Sequence, residues 1–389
     1  MKKTLAFVHP VFPCGGAENV TLEVGRVLSS QGYRVIVLCE RLYSEIMPPD
    51  SPIHIAYYTV RKTSKKEHAL EMIEKIRTLG IDVLVYVVNY PRHIEWIRQQ
   101  TGARIVVANH GMMYWQAFSK IESLKKKRKK NLWHRLCWYF WHRERVKSAD
   151  YYLCRVQRKY RFLLSQADAY MVLCEGYRSQ LIRDLAPDEA TQRKIHVIPN
   201  FQHPHPNPCL QKEKKVIFVG RLTHADKRVD RLLHIWSMVE QQMPDWKLQI
   251  VGDGEELSRL LDLSDRLQLR NVTFEGRQNP QSYYDRASIL CLTSTHEGWG
   301  LVLTEAQTNG VVPIAFDCSA GVHTILSSDD SGQCGVLVPP FNLDTYAREL
   351  RRLMSDECWR RTLQQNALQR RFPLEDTCRR YENMFDSLN

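Results

Sequence analysis

The sequence predicts an α/β fold built from two doubly wound domains, each a parallel sheet covered by helices, that face each other across a cleft. Three observations support this. At 389 residues the chain is too long for one compact core. Short β-branched apolar runs alternate with helical apolar stripes in both halves, which is typical of parallel sheets with helices on both faces. Between the halves, the segment 202–214 carries three prolines among polar residues and predicts a linker.

In the first half, the apolar runs predict strands and the 3.6-residue stripes predict helices. The predicted elements are, in order, strand 5–8, helix 20–28, strands 34–38 and 53–58, helix 70–76, strand 81–88, helix 94–100 and strand 103–108. From 112 to 166 the alternation stops, and basic and aromatic residues follow helical spacing. It then resumes with strand 169–173, helix 175–184 and strand 195–198.

The second half repeats the alternation and ends in helices. The predicted elements are strand 215–219, helix 229–243, strand 247–251, helix 255–268, strands 272–275 and 287–293, a short helix after 300, strand 312–316 and three helical segments from 343 onward. We therefore assign 1–205 to a first domain and 206–375 to a second. The remaining segment, 376–389, is expected to form a helix that packs back on the first domain.

Composition excludes several classes of protein. The eleven cysteines are odd in number and form no CxxC pair, which favours reduced thiols over a disulfide framework or a zinc site. The segment 1–10 has a basic head but only a brief apolar run, so we expect a first strand there and not a signal peptide. Since no apolar run reaches about 18 residues, we expect no transmembrane span.

The net charge of +12 is concentrated in one segment. Residues 120–147 hold eleven Lys and Arg against Glu122 and Glu144, so the rest of the chain is only mildly basic and a nucleic-acid partner is not expected. A lysine run at 125–130 is followed by Trp133 and other aromatic residues at helical spacing. Such a segment suits an anionic membrane surface. A helix that packs its apolar stripe on the first domain has the same periodicity, so both interpretations stay open.

The stretch 294–306 carries the strongest chemical signal. It follows an apolar strand and opens a short helix, with Gly298 and Gly300 between Glu297 and Glu305. Glycines allow the backbone to approach a ligand, and the free N–H groups of a helix N-terminus attract an anion. A carboxylate two turns further along can accept hydrogen bonds from sugar hydroxyls. The stretch therefore predicts a site for a sugar attached to a phosphate.

Two other turns that follow strands are candidate ligand sites. Arg221 and Lys227 could hold a phosphate with a planar guanidinium fork and a mobile ammonium, and their place in the same half as Glu297 favours this over two solvated charges. Gly15 and Gly16 open the first helix and would admit a ligand, although a plain tight turn explains them equally well.

His110 ends a strand at the edge of the sheet where ligands bind in doubly wound folds, so we favour a chemical role over a structural one. Asp317, after the strand 312–316, is either a site residue or a helix cap. Neither a D-x-D pair after a strand nor a cluster with metal spacing occurs in the sequence. We therefore expect no metal and no cofactor. If a pyrophosphate leaves at this site, its charge would be stabilised by Arg221, Lys227 and helix N-termini.

Together these motifs resemble the signature positions of retaining GT-B glycosyltransferases of family 4, also called glycosyl transferases group 1. The matching residues are, in order, Gly15-Gly16-Ala17-Glu18, His110, Ile198-Pro199-Asn200, Val219-Gly220-Arg221-Leu222 with Lys227, Ile250-Val251-Gly252-Asp253-Gly254 and the segment 297–305. The resemblance covers almost the whole chain. The segment 223–228 departs from it, because the family more often has Glu-Lys-Gly there, and the segment 112–166 is variable in the family.

The resemblance implies a nucleotide-sugar donor held mainly by the second domain. Arg221 and Lys227, with Gly298 and Gly300, would bind its diphosphate, and Glu305 would accept hydrogen bonds from the ribose. Glu297 would contact the transferred sugar, His110 would lie beside that sugar, and the Gly15-Gly16 loop would shape the donor–acceptor junction. The backbone of three residues would bind the base: Gly276, Arg277 and Gln278. The resemblance also implies retention of the anomeric configuration.

On this resemblance we predict a metal-independent hexosyltransferase that uses a nucleotide sugar, with UDP preferred over GDP. The acceptor would be a cell-surface polysaccharide, a lipopolysaccharide or a lipid-linked glycan. We expect a cytoplasmic protein, peripheral at the inner face of the plasma membrane through residues 120–147. Two alternatives are a nucleotide-sugar epimerase on the same fold and a non-enzymatic protein that binds glycans or membranes.

Overall fold

The computed structural model describes residues 2–13, 15–47, 51–57, 65–87, 93–127, 133, 138, 150–327 and 332–388. The chain divides into two compact units. The first comprises Met1–Phe201 and Leu374–Asn389, and the second comprises Gln202–Pro373. The predicted boundaries, at 205/206 and 375/376, lie a few residues from these.

The first unit is built on a seven-stranded parallel sheet. Its strands are β1 (Thr4–Phe12), β2 (Arg34–Leu42), β3 (His54–Tyr57), β4 (Val83–Val87), β5 (Arg104–Ala108), β6 (Ala169–Val172) and β7 (Ile195–Val197). They are ordered β3-β2-β1-β4-β5-β6-β7, the doubly wound arrangement in which the chain reverses direction beside β1. The central strands are buried on both faces, which is why they carry continuous apolar runs.

The helices of this unit connect and cover the strands. They are α1 (Gly16–Ser30), α2 (Lys65–Leu79), α3 (Ile94–Thr101), α4 (Trp115–Lys127), α5 (Asp150–Gln166), α6 (Glu175–Leu185) and α7 (Glu189–Arg193). One core cluster joins α2 and α3 to the sheet through Met72, Ile76, Ile97, Leu84 and Ile105.

The second unit contains a six-stranded parallel sheet. Its strands are β8 (Glu213–Val219), β9 (Lys247–Val251), β10 (Val272–Gly276), β11 (Ala287–Leu292), β12 (Val312–Phe316) and β13 (Val336–Val338). They are ordered β10-β9-β8-β11-β12-β13, again doubly wound.

The described part of the second unit contains seven α-helices, and one more α-helix follows at the C-terminus. They are α8 (Val229–Val239), α9 (Leu257–Arg266), α10 (Gln281–Arg286), α11 (Leu301–Thr308), α12 (Ala320–Leu326), α13 (Leu343–Ser355), α14 (Glu357–Gln369) and α15 (Leu374–Asp386). A core cluster of the second unit includes Trp236, Phe316 and Tyr346.

Helix α15 belongs to the first unit although it follows the second in the chain. Its Tyr381 and Phe385 pack edge-on or tilted against Phe7 and Tyr33, with ring centroids 6.5 and 6.2 Å apart. Glu382 forms an ion pair with Lys2 at 2.9 Å. Aromatic packing therefore fixes this helix on the sheet.

The predicted α/β class and the two doubly wound sheets are confirmed. Four short elements were missed by the sequence analysis: α7, α10, α12 and β13. Each is seven residues or shorter, and the polar sequence of α10 carries no apolar stripe. The predicted helix 229–243 ends earlier, at Val239, and continues as a 3-10 turn over Glu240–Gln242.

Candidate functional site

The second unit brings its two charged motifs together at one edge of the sheet. The turn that carries Arg221 and Lys227 follows β8, the loop that carries Glu297 follows β11, and these strands are hydrogen-bonded neighbours. From β8 the chain winds outward to β10 and returns at β11, so the strand order reverses between the two loops. Open α/β sheets bind ligands at this position.

Lys227 and Glu297 form a short ion pair there. Lys227 Nζ lies 2.6 Å from Glu297 Oε1, and the two side chains are only 16% and 12% exposed. The Ser294 hydroxyl donates to the same carboxylate oxygen at 2.7 Å. The residues predicted for the diphosphate and for the transferred sugar are therefore in direct contact.

The turn that carries Lys227 is held to the strand end by hydrogen bonds. The Thr295 N–H donates to the Asp226 carbonyl at 2.7 Å, and the Thr223 hydroxyl donates to the Asp226 carboxylate at 2.8 Å. This fixes the lysine backbone, whereas the Arg221 side chain on the same turn is exposed.

Arg228 stands where the resembling family more often has glycine, and its backbone is left-handed, with φ 51° and ψ 49°. That conformation costs a residue with a side chain about 1–2 kcal/mol. The Arg228 guanidinium donates to both carboxylate oxygens of Asp230, each at 2.9 Å. Burial opposes ionisation of Asp230, but this fork and the arginine's charge lower the pKa of its carboxyl.

Glu305 lies on α11 and accepts a hydrogen bond from the Tyr284 hydroxyl, 2.7 Å from Oε2. Its side chain is accessible to solvent, yet protein surrounds it densely enough for desolvation to raise the pKa of its carboxyl. The phenol and the charge of Lys227 act in the opposite direction. An accessible carboxylate with a dense protein surround suits a bound hydroxylated ligand.

Gly298 and Gly300 lie in the loop between β11 and α11, as predicted from the sequence. Gly300, with φ 92°, is the residue before α11, so no side chain shields the first N–H groups of the helix. Between them, Trp299 is buried and packs edge-on against Phe372 at 5.1 Å. Gly321 in α12 allows the loop to approach closely, because a Cβ there would lie 2.1 Å from the Gly298 carbonyl oxygen.

The loop predicted to bind the base follows β10. Gly276 has φ 68°, and the side chains of Arg277 and Gln278 are exposed. Glu275, just before them, accepts a hydrogen bond from the Tyr283 hydroxyl at 3.1 Å. Two consecutive tyrosines of α10 therefore contact both parts of the predicted site: Tyr283 donates to Glu275 beside the base loop, and Tyr284 donates to the Glu305 carboxylate.

In the first unit, His110 follows β5 and is held by a polar network beneath its loop. Asn109 accepts from the Gly111 N–H at 3.0 Å and donates at 3.3 Å to the hydroxyls of Tyr160 and Tyr170. Because Asn109 bonds to its own turn and to two buried tyrosines, it fixes the backbone that carries the imidazole.

The surroundings of His110 favour its neutral form. The side chain is partly accessible, but Nδ1 is buried and forms no hydrogen bond with any of the described residues. Burial, together with the nearby His9 ring, lowers the pKa of His110 to about 4, although Asn200 and Glu18 act in the opposite direction. A neutral imidazole can donate or accept a hydrogen bond with a sugar hydroxyl but carries no charge at pH 7.

Gly15 and Gly16 lie beside His9 and Glu18. Gly15 precedes α1, and a Cβ there would lie 2.7 Å from a Glu18 carboxylate oxygen, so glycine leaves space for this side chain. His9 is fully buried, its Nε2 is 2.9 Å from the Thr21 hydroxyl, and its Nδ1 is 3.8 Å from Glu18 Oε1. Burial opposes ionisation of Glu18, but the interaction with His9 lowers the pKa of its carboxyl overall.

The basic segment 120–147 is described only in part. Ile121, Leu124 and Trp138 pack in a cluster with Tyr152 of α5, so part of the apolar stripe packs within the first unit. Trp133 is 68% exposed. The side chains at 125–132, which include the lysine run, lie outside the described residues.

Sequence reasoning did not select several residues of these sites. Ser294, Tyr284, Asn109 and His9 all contact a predicted site residue or its turn. Ser294 and Asn109 follow the ends of β11 and β5, which is a signal in the sequence, whereas Tyr284 and His9 lie within a helix and a strand and carry none. Asp317 is not the cap of α12, because Ser319 fills that position and accepts from the Val322 N–H; Asp317 instead lies 3.0 Å from His323 Nδ1. No described group of three or more His, Cys, Asp and Glu side chains could hold a metal ion, and no described helix is both long and apolar enough to span a bilayer.

Comparisons with known proteins agree with this architecture. Residues 14–202 match the family model "Glycosyltransferase Family 4", and residues 202–370 match "Glycosyl transferases group 1". An uncharacterised glycosyltransferase of Haemophilus influenzae is 27% identical over 336 residues, 85% of either chain. The lipopolysaccharide 1,6-galactosyltransferase of Escherichia coli is 27% identical over 186 residues, which is 45% of this chain and half of that relative.

Among solved structures, Anabaena HepE in complex with UDP-glucose superposes with a TM-score of 0.72 and 16% identity, over 99% of this chain and 100% of that one. The likeness concerns the fold. The two family models together cover almost the entire sequence, and both sheets are doubly wound. The chain belongs to the group 1 glycosyltransferases of the GT-B fold.

Proposed function

We propose that this protein is a retaining, metal-independent hexosyltransferase that uses a nucleotide sugar, with UDP as the nucleotide. The observation that carries the proposal is the ion pair between Lys227 and Glu297 at the adjacent ends of β8 and β11, with the accessible carboxylate of Glu305 on the helix that follows. A cation, a carboxylate for the sugar and a carboxylate for the ribose are thereby present in one unit. The UDP-glucose complex of HepE and the galactosyltransferase activity named for the Escherichia coli relative favour UDP and a hexose.

In the proposed reaction, the bond between the sugar C1 and the β-phosphate oxygen breaks, and the acceptor oxygen bonds to C1 on the face that the nucleotide leaves. The departing phosphate oxygen takes the acceptor's proton. Lys227, Arg221 and the N–H groups at the start of α11 stabilise the charge that develops on the phosphates. Glu297 orients the sugar and is not a general base, since Lys227 and Ser294 already donate to it.

His110 and the Gly15-Gly16 loop are assigned to the sugar and to the acceptor junction. We propose that the neutral imidazole of His110 exchanges a hydrogen bond with a hydroxyl of the transferred sugar. The base would be bound by the backbone of Gly276, Arg277 and Gln278.

The proposed acceptor is a cell-surface polysaccharide, a lipopolysaccharide or a lipid-linked glycan, in line with the lipopolysaccharide activity named for the Escherichia coli relative. We also propose that the protein works at the cytoplasmic face of the membrane and contacts anionic lipid through the segment 120–147. The exposed Trp133 and the lysine run support this.

Titration with UDP and with GDP in the presence of EDTA tests the donor assignment. UDP should bind without a metal, and Lys227→Ala or Glu305→Ala should abolish turnover of the nucleotide sugar while the thermal unfolding midpoint is retained. Lys214→Ala is the matched control, because this exposed lysine lies near the start of β8, at the opposite edge of the sheet.

The outcomes separate the alternatives. Full turnover in both site variants would refute the site, and failure to bind either nucleotide would indicate a non-enzymatic protein. Conversion of the donor to its epimer without an acceptor would indicate an epimerase.

A further inference from the structure

Tyr284 is a buried phenol whose hydroxyl lies against the carboxylate assigned to the ribose. The side chain is 2% exposed, and its hydroxyl donates to Glu305 Oε2 at 2.7 Å. A phenol that donates to an ionised carboxylate forms a charge-assisted hydrogen bond, which is stronger than a neutral one and fixes the acceptor's orientation. Among the described residues, no other side chain donates to this carboxylate.

The helix that carries Tyr284 is locked to the helix that carries Glu305. The Lys212 ammonium donates to the carbonyls of Tyr284, Asp285 and Asn309, at 2.9, 3.0 and 2.8 Å. These carbonyls belong to the last turn of α10 and to the residue that caps α11, where helices leave acceptors unpaired. All three ammonium donors are thereby used, and the two helix ends are held by one charge.

A second link joins the same two helices. The Gln281 amide donates to Asn309 Oδ1 at 2.6 Å and to Asp285 Oδ1 at 2.8 Å. Because α10 and α11 are tied at their ends, the separation between the backbones that carry Tyr284 and Glu305 is fixed.

We propose that Tyr284 is a positioning residue for recognition of the donor's ribose: its hydroxyl holds the Glu305 carboxylate in one plane, with Oε1 and the remaining lone pair of Oε2 directed to the two ribose hydroxyls. The inference rests on the proposed function, in which Glu305 binds the ribose. Without the phenol, the carboxylate loses the donor that orients it and rotates into solvent. Ribose recognition should then weaken even though Glu305 is present.

The test compares UDP with 2′,3′-dideoxy-UDP by calorimetric titration. The dideoxy nucleotide lacks the hydroxyls that would donate to the charged Glu305 carboxylate. The wild type should therefore bind UDP about tenfold or more tightly than the dideoxy nucleotide. In Tyr284→Phe, which keeps the ring and its packing, the preference should fall to about threefold or less. Affinity for the dideoxy nucleotide should be nearly the same in both proteins.

Tyr346→Phe provides the matched control. Tyr346 is also fully buried in the second unit, and its hydroxyl donates to the Ile314 carbonyl at 2.7 Å, so its removal costs a comparable buried hydrogen bond. A general loss of stability would affect both variants, whereas the inference predicts a wild-type nucleotide preference in Tyr346→Phe.

The results distinguish this inference from the proposed function. A wild-type preference in Tyr284→Phe would overturn the role of Tyr284 and leave the ribose site intact. Equal binding of the two nucleotides by the wild-type protein would overturn the assignment of Glu305 to the ribose, and the role of Tyr284 with it. No binding of UDP would overturn the proposed donor and the inference together.

Discussion

Lys227 Nζ lies 2.6 Å from Glu297 Oε1, so the cation assigned to the diphosphate and the carboxylate assigned to the transferred sugar neutralise each other. A diphosphate that binds Lys227 has to compete with this carboxylate. The arrangement makes nucleotide affinity and sugar contact interdependent, and mutations can separate the two.

Glu297→Gln should bind UDP more tightly and transfer sugar more slowly. The variant frees Lys227 for the diphosphate, and because the pair is largely buried we expect a gain in UDP affinity of about fivefold or more, which corresponds to about 1 kcal/mol. Loss of the contact to the sugar should lower kcat by about tenfold or more. Calorimetry with UDP and single-turnover kinetics with the nucleotide sugar measure the two effects.

Ser294→Ala is the control for this experiment, because it removes a second donor to Glu297 Oε1 but leaves the ion pair. Its UDP affinity should equal that of the wild type. Weaker UDP binding by Glu297→Gln would show that the carboxylate supports the phosphate site and does not compete for Lys227.

Gly321→Ala should disturb the phosphate loop from behind. A Cβ at this position would lie 2.1 Å from the Gly298 carbonyl oxygen, so the loop before α11 must shift. Overpacking of this kind costs about 1–3 kcal/mol. We expect a lower unfolding midpoint and a weaker affinity for UDP.

Gly335→Ala separates the two effects. Its Cβ would lie 2.6 Å from the Pro313 carbonyl oxygen, so it should destabilise the same unit without moving the phosphate loop. Equal loss of UDP affinity in both variants would assign the effect to general destabilisation.

Arg228→Gly should preserve the lysine turn. Glycine relieves the left-handed strain of about 1–2 kcal/mol, while the fork to Asp230 is lost and the unfolded chain gains freedom. Because these contributions oppose each other, the free energy of unfolding should change by less than about 1 kcal/mol. Asp230→Ala should destabilise the wild type but not the Arg228→Gly protein, and chemical denaturation of the four proteins in a double-mutant cycle measures this coupling. Equal destabilisation in both backgrounds would contradict a role for the fork.

His110 should make the protein acid-sensitive. Its pKa is about 4 in the folded protein, below its ordinary value of 6.5, so the unfolded chain binds more protons between these values. The free energy of unfolding is therefore not reduced by His110 above pH 6.5, and it decreases as the pH falls from 6.5 toward 4. His110→Gln lacks this dependence.

Thermal unfolding of both proteins at pH 7 and pH 5 tests the effect. Between pH 7 and pH 5 the unfolding midpoint of the wild type should fall further than that of the variant, by about 2–4 °C for each kcal/mol of unfolding free energy that protonation of His110 removes. The difference between the two proteins includes the interactions of His110 with His9 and Glu18, which the variant lacks. An equal decrease of the unfolding midpoint in the two proteins would show that the pKa of His110 is not lowered in the folded protein.

The sequence analysis could place Lys227 near Glu297 because both follow strands of one parallel sheet, and the carboxyl ends of such strands share an edge. It could not identify the Tyr284–Glu305 pair. Tyr284 lies on a six-residue polar helix with no apolar stripe, and its partner is selected by packing of α10 against α11. Local pattern carries no information on such a tertiary contact.

Arg228 shows a similar limit. An arginine gives no local signal of a left-handed backbone, since contacts with other residues hold that conformation here. The Arg228 N–H donates to the Thr223 carbonyl, and the Arg228 guanidinium donates to both carboxylate oxygens of Asp230. The strand β13 was missed because three residues show no periodicity. Long elements with a continuous apolar face were predictable, and short elements defined by their neighbours were not.

The segment 120–147 should bind anionic membranes by charge. Each cation near such a surface contributes about 1 kcal/mol, so six neutralised residues remove most of the attraction. We expect wild-type protein to sediment with liposomes that contain phosphatidylglycerol at low salt and to be released by high salt. A variant with residues 125–130 changed to glutamine should remain in the supernatant. The control changes six well-exposed arginines outside the segment to glutamine: Arg26, Arg183, Arg193, Arg348, Arg361 and Arg379. The control should sediment like the wild type; equal loss in both variants would show that net charge alone, and not this segment, causes the attraction.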